Sequence, residues 1–230
     1  MIKNNKAIAV LFDFNGTMFF DEKFQEQSWK MFIHQKTGKE VSEKDFQSYI
    51  HGRNADFTLP YFLNRSLSRE EIEMLEEEKE QLYRRLCLQS DEFRLADGLE
   101  AFLDKLKFKS IPVTIATASG LNNVKFFFEH LNLGKWFDIE QVVYNNGQIA
   151  GKPEPDFYLK ASEALGVDIH ECIVFEDSLS GIESARRANA GKIVRVASMA
   201  VSMSAGNDVF AVIQDYTDLK LLSEILGTDL

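Results

Sequence analysis

Cysteine is scarce in this chain of 230 residues: Cys87 and Cys172 are the two present, in unrelated contexts. That argues against a disulfide-stapled scaffold and fits reduced thiols in a cytoplasmic compartment. Four scattered histidines and no cysteine pair argue against a zinc cluster. Basic residues are in deficit, with 26 Lys and Arg against 36 Asp and Glu and a net charge of −10. A nonspecific nucleic-acid binder needs a basic stripe, so no nucleic-acid partner is expected. An anionic substrate stays open, because a bound metal ion can invert the local sign of charge. No window approaches ~20 uninterrupted apolar residues, so no membrane partner is expected either. The start, Met1 to Lys6, leads into eight mostly apolar residues broken by Asp13, which makes a poor signal peptide. Internal repeats and low-complexity linkers are also missing, and nothing demands more than a monomer.

What is present is an ordinary globular composition, 45% hydrophobic and 27% charged. Continuous β-branched runs mark strands covered on both faces. They fall at Ala7–Phe12, Ile111–Thr117, Gln141–Tyr144, Cys172–Phe175, Lys192–Val196 and Val209–Ile213. Helical patterns separate them at Gly98–Lys107, Asn122–Leu131, Pro155–Leu165, Ser180–Ala190 and Leu219–Leu226. The alternation predicts an α/β fold with a doubly wound, Rossmann-like parallel sheet. Residues 21–93 break the rhythm and read as helices at Lys23–Thr37, Ser42–Gly52 and Arg69–Leu88. In the last, the glutamates from Glu70 to Glu78 read as a solvated face. The expected organisation is a core domain of residues 1–20 plus 94–230, with an inserted all-helical cap domain of residues 21–93.

Four strand ends carry polar residues to one edge of that sheet. The first reads Asp13-Phe14-Asn15-Gly16-Thr17, a carboxylate before a glycine turn. The second ends in Thr117-Ala118-Ser119-Gly120, whose hydroxyls and amides suit an anion where a helix begins. Next comes Gly151-Lys152-Pro153-Glu154-Pro155, in which prolines stiffen the backbone beyond Lys152 and start a helix. The fourth ends in Glu176-Asp177-Ser178, a carboxylate pair that is costly unless a cation offsets it. Each alone suits a helix cap or a turn. Together they form the inventory of phosphoryl transfer assisted by a hard divalent metal.

These motifs, in this order, resemble the haloacid-dehalogenase superfamily, and within it the branch with a helical cap that includes β-phosphoglucomutase and many sugar phosphatases. The family's D-x-D-G-T reads D-F-N-G-T here, followed by Thr117 in TIATAS, Lys152 in GKPEPDFYLKA, and Glu176 and Asp177 in VFEDSLSGIESA. The resemblance implies that Asp13 is a nucleophile forming an aspartyl-phosphate. It implies Mg2+ held by Asp13, the backbone carbonyl of Asn15 and Asp177, with Glu176 binding through water or orienting that shell. Thr117 and the Ala118 amide would hold the phosphoryl group, and Lys152 would offset its charge. The cap would close over the site and exclude water.

Asn15 departs from the family pattern, whose second aspartate acts as general acid and base. An amide keeps the shape but cannot exchange protons, and such help is typically worth about 10²–10⁴-fold. Gln25 stands where the β-phosphoglucomutase pattern has a histidine, and Ala55 where it has an arginine. Arg53 remains a candidate substrate contact, as does Gln25. A Schiff-base lysine would have to come from the cap (Lys30, Lys36, Lys39, Lys44), and nothing in the sequence singles one out. The sequence therefore implies a Mg2+-dependent phosphatase of a small, sugar-phosphate-like metabolite. Its alternatives are a phosphometabolite-binding protein of negligible turnover and a phosphosugar mutase.

Overall fold

A computed structural model describes residues 9–50, 53–197 and 209–230. Among them lie six strands: β1 (Ala9–Phe12), β2 (Val113–Gly120), β3 (Val143–Asn145), β4 (Cys172–Glu176), β5 (Lys192–Val196) and β6 (Ala211–Ile213). Nine α-helices accompany them. Helices α1 to α4 span Glu22–Thr37, Glu43–Tyr49, Ala55–Leu63 and Arg69–Leu88. Helices α5 to α9 span Leu99–Phe108, Leu121–His130, Asp156–Leu165, Leu179–Arg187 and Leu219–Leu226. The predicted strand positions 7–8 lie outside the described residues.

Two compact units emerge, one of Met1–Phe20 and Arg94–Leu230, the other Asp21–Phe93. The first is an α/β unit whose sheet runs β3-β2-β1-β4-β5-β6, with every described pairing parallel. Side chains alternate across β1, so its residues feed two cores. Ala9 and Leu11 join Ala116, Val174, Phe157 and Tyr158 on one face. On the other, the Phe12 ring stacks on Phe175 at 5.2 Å and meets Phe102 edge-on at 6.3 Å. This double burial is why β1 reads as a continuous apolar run. The strand order reverses direction between β1 and β4, which sets a crevice beyond their carboxyl ends.

The second unit is helical. Phe32, Ile33, Phe46, Leu59, Leu75 and Leu82 form its core. Ser42 caps α2 by accepting from the Asp45 amide at 3.1 Å, and Ser68 forms a reciprocal capping box with Glu71 at α4. Helix α3 is one that the sequence pattern does not announce, because Pro60 lies inside it and reads as a breaker. The acidic stretch of α4 is solvated only in part. Lys79 is buried within it, with Nζ donating to Gln25 Oε1 at 2.7 Å and Glu80 Oε1 at 2.6 Å. Its ammonium lies 5.0 Å from the Trp29 ring centroid and 5.5 Å from that of Tyr83. Among the described residues, no helix is long and apolar enough to cross a membrane.

Candidate active site

At the switch point, the amide of Asp13 donates to the Phe175 carbonyl at 3.0 Å, which ties the end of β1 to the end of β4. Asp13 and Glu176 are both buried, 7% and 1% exposed, and Asp177 follows directly. Each of the three offers one carboxylate oxygen, and these oxygens lie within 4.8 Å of one another. Lys152 reaches them from the loop before α7, where its peptide bond to Pro153 is cis. Its Nζ donates to Asp13 Oδ1 at 2.6 Å, Glu176 Oε1 at 2.7 Å and the Tyr158 hydroxyl at 3.2 Å. An ammonium has three protons, and these three partners use them all.

The lysine loop is itself anchored. Ser184 donates to the Glu154 carbonyl at 2.6 Å, and Arg187 donates to the Glu154 carboxylate at 2.7 Å. Both donors lie on α8, so the helix after β4 holds the loop that carries Lys152. Glycines make room for the acids. Gly16 has φ of +78°, a left-handed conformation, and a methyl there would collide with the Asp177 carboxylate. A methyl on Gly181 would overlap the Glu176 carboxylate.

Three carboxylates against one ammonium leave an excess of negative charge in a buried place. Burial, then the Glu176 charge, pushes Asp13 up to about 7 against the pull of Lys152. Burial likewise raises Asp177 well above the usual carboxylate range, with Glu176 and Asp13 adding to it. Burial alone would lower the Lys152 ammonium, but Asp13 and Glu176 outweigh it and hold it above its ordinary range. An all-oxygen donor set with surplus negative charge fits a hard divalent cation. The fit is uneven, however. Glu176 Oε1 accepts from Lys152 and Tyr158, and Oε2 accepts from the Ser178 amide at 2.7 Å and hydroxyl at 3.0 Å. Glu176 is therefore spent as the anchor of Lys152 and of the α8 amino terminus. Asp177 accepts at Oδ1 from the Thr17 hydroxyl at 3.2 Å.

The remaining expected residues divide between the two units. Thr117 is buried within β2, three residues before its end, Ala118 is exposed beside it, and Asn15 accepts at Oδ1 from the Ser119 hydroxyl at 2.8 Å. The structure thus brings Asp13, Asn15, Thr117, Ala118, Lys152, Glu176 and Asp177 to one edge of the first unit. Gln25 and Arg53 belong to the second. Gln25 donates to Asp21 Oδ2 at 3.0 Å and accepts from Lys79, so both amide ends serve internal contacts. The Arg53 guanidinium lies 5.0 Å over the Phe57 ring on an exposed surface. Sequence reasoning missed Tyr158, an aromatic residue in an apolar stripe, and Ser178, which looked like a plain cap.

Comparison with known proteins follows the same lines. Residues 9–189 match the family described as haloacid dehalogenase-like hydrolase. A solved structure from Entamoeba histolytica, described as a HAD hydrolase of family IA, variant 3, is similar at 37% identity and a TM-score of 0.88. That likeness covers 96% of this chain and 100% of that one. A phosphorylated carbohydrates phosphatase of Thermotoga maritima is 26% identical over 227 residues, 95% of this chain and 99% of that protein. A beta-phosphoglucomutase of Mycobacterium bovis is 25% identical over 216 residues, 83% of this chain and 81% of that protein.

Proposed function

As the chain belongs to the haloacid dehalogenase-like hydrolase family, we propose that it is a Mg2+-dependent phosphatase of a small, sugar-phosphate-like monoester. The observation that carries this reading is the Lys152 ammonium bridging Asp13 Oδ1 and Glu176 Oε1 beside Asp177. It matches a nucleophile held ready next to a phosphoryl group. The relatives named as a carbohydrate phosphatase and a phosphoglucomutase point to the same substrate class.

In this reading Asp13 attacks phosphorus with a carboxylate oxygen and forms an aspartyl-phosphate, which water then hydrolyses. The Thr117 hydroxyl and the Ala118 amide hold the phosphoryl oxygens. Lys152 offsets charge on both Asp13 and the phosphoryl group. Asp13, Asp177 and the Asn15 carbonyl would hold Mg2+, with Glu176 keeping Lys152 and the α8 amino terminus in place. When bound, the ion supplies positive charge that lets carboxylates and a phosphate share one crevice. Asn15 hydrogen-bonds in this site but transfers no proton.

Binding without turnover is the second reading, and Asn15 is the observation that favours it. A mutase must hold a second phosphate. Gln25 is occupied internally, and Ala55 is buried in the second unit's core, which weakens that alternative. Phosphate release from acetyl phosphate, an aryl phosphate and hexose phosphates, with and without Mg2+, tests the proposal. Metal-dependent release that is lost in Asp13→Asn is expected. Phosphate binding with no release from any donor would favour the binding protein, and dependence on a bisphosphate activator would favour the mutase.

A further inference from the structure

Asn-Gly occurs twice in the chain, at Asn15-Gly16 and at Asn146-Gly147. Glycine carries no Cβ, so its backbone nitrogen can approach the side-chain carbonyl carbon of the asparagine before it. The two copies have opposite surroundings. Asn146 and Gly147 lie with Asn145 and Gln148 on an exposed stretch that leaves β3. The Gln148 N–H donates to Asn146 Oδ1 at 2.9 Å. That bond folds the side chain over the backbone that follows it and draws electron density from Cγ. The Gly147 N–H donates to Asn145 Oδ1 at 3.0 Å, but this acceptor is itself an exposed side chain that water readily replaces. Asn15 and Gly16 are half-buried, and the Gly16 N–H donates at 2.8 Å to the main-chain carbonyl of Phe19, a wholly buried residue. A β-bridge between Asn15 and Phe19 holds the same turn, and the Asp177 carboxylate packs against Gly16. The nitrogen that would attack there is tied to the core, and it is released only by local unfolding.

We propose that Asn146 is a site of spontaneous modification, in which Gly147 displaces ammonia from the side-chain amide, and that the fold withholds the same reaction from Asn15. In the first step the Gly147 backbone nitrogen forms a bond to Asn146 Cγ while the bond from Cγ to Nδ2 breaks. The proton lost by the Gly147 nitrogen leaves with the NH2 group as ammonia, and a five-membered succinimide ring closes. Water then adds to one of the two ring carbonyls and opens the ring. Breaking the bond between Cγ and the Gly147 nitrogen gives aspartate. Breaking the bond between the Asn146 main-chain carbonyl carbon and that nitrogen gives isoaspartate, whose main chain runs through the side chain. One water is consumed and one ammonia released, and no other reagent is needed. Protection of Asn15 matters to the site, because a carboxyl there would put a group that exchanges protons on the Asp13 turn, where an amide exchanges none.

The test incubates the folded chain at pH 8 and 37 °C, with a parallel sample in denaturant, and digests aliquots at acidic pH over several days. Mass spectrometry with fragmentation then follows the amide-to-acid mass gain at Asn146 and at Asn15, and isoaspartyl methyltransferase labels the rearranged product. In the folded chain Asn146 is expected to convert, with label appearing on its peptide. Asn15 is expected to lag by at least about tenfold, because its nitrogen reacts only after a buried hydrogen bond and the turn around it have opened. Denaturant should close that gap. Asn146→Gln, whose longer side chain closes a ring far less readily, should abolish the gain at position 146. No conversion of Asn146 in the folded chain would overturn the site. Conversion of Asn15 at the pace of Asn146 in the folded chain would overturn the protection, and so would a gap that persists in denaturant. A mass gain on that peptide that survives in Asn146→Gln would overturn the assignment to Asn146.

Discussion

The Tyr158 hydroxyl, wholly buried, donates to Glu176 Oε1 at 3.2 Å and joins residues 18 positions apart. It also accepts from Lys152 at the same distance, which closes a triangle of tyrosine, lysine and glutamate beneath Asp13. Removing the hydroxyl leaves one Lys152 proton without its partner in a place that water does not readily reach. Tyr158→Phe is therefore expected to cost about 1–2 kcal/mol of stability. A several-fold fall in kcat accompanies it as Lys152 gains freedom. Denaturant unfolding and steady-state kinetics on the variant check both, and no change in either would show that the triangle contributes nothing.

Gly181 sets two effects of opposite sign against each other. It lies in α8, where alanine is the better helix former by about 1 kcal/mol. A methyl there would overlap the Glu176 carboxylate, and that residue is fully buried and held by four donors. Overpacking of this kind typically costs about 1–3 kcal/mol, and moving Glu176 also releases Lys152. Gly181→Ala should thus destabilise the protein and lower kcat, against its helix propensity. Gly134→Ala, where nothing lies within 4 Å, is the comparison and should change neither. A more stable Gly181→Ala protein would mean that Glu176 has room to move.

Much of this was legible in the sequence, and the parts that were not share a cause. Strands buried on both faces write their position as unbroken apolar runs, so β4 and β5 were placed within one residue. The acids and Lys152 stood out because each followed a strand end or began a proline-stiffened turn. Helix α3 hid behind Pro60, since local propensity cannot register the packing that Ala55 and Leu59 gain. Lys79 hid among glutamates, because a charged run looks solvated until the fold lays Trp29 and Tyr83 beside it. The bond between Ser119 and Asn15 depends on two strand ends meeting, which no spacing rule encodes.

Lys79 gives a direct measure of what burial does to a charge. Its side chain is 2% exposed and its partners Gln25 and Glu80 surround the ammonium. Truncation removes a buried cation and its stem and takes one partner from Glu80, whose side chain is 20% exposed, so the cost should stay below the ~3–5 kcal/mol of breaking a wholly buried pair and above that of a surface pair. Lys30 pairs with Glu26 on the surface of the same unit, its side chain 34% exposed. Exposed pairs of that kind are worth at most about 1 kcal/mol. Unfolding of Lys79→Ala and Lys30→Ala side by side should show that difference. Equal losses would mean that water reaches the Lys79 ammonium.

The two cysteines set an alkaline limit. Both are wholly buried, and burial pushes each thiol from an ordinary 9.0 up to about 12. Nearby carboxylates add to the shift, Asp21 at Cys87 and Asp168 at Cys172. Both thiols should be inert to a disulfide reagent at pH 8 while the protein is folded, and both should react once denaturant unfolds it. The sign for stability follows from linkage. A folded state with the higher pKa binds more protons above pH 9 than the unfolded chain does, so stability is fully present below pH 9 and is lost as pH rises toward 12. The buried tyrosines Tyr83, Tyr158 and Tyr216 are raised as well and push in the same direction from their ordinary 10.0 upward. Denaturation midpoints should therefore fall more steeply between pH 9 and 10.5 than between pH 7 and 9. Cys172→Ala should soften the first part of that fall, between pH 9 and 10, before the tyrosines begin to contribute. A midpoint that rises with pH in this window would show that the thiols ionise in the folded protein.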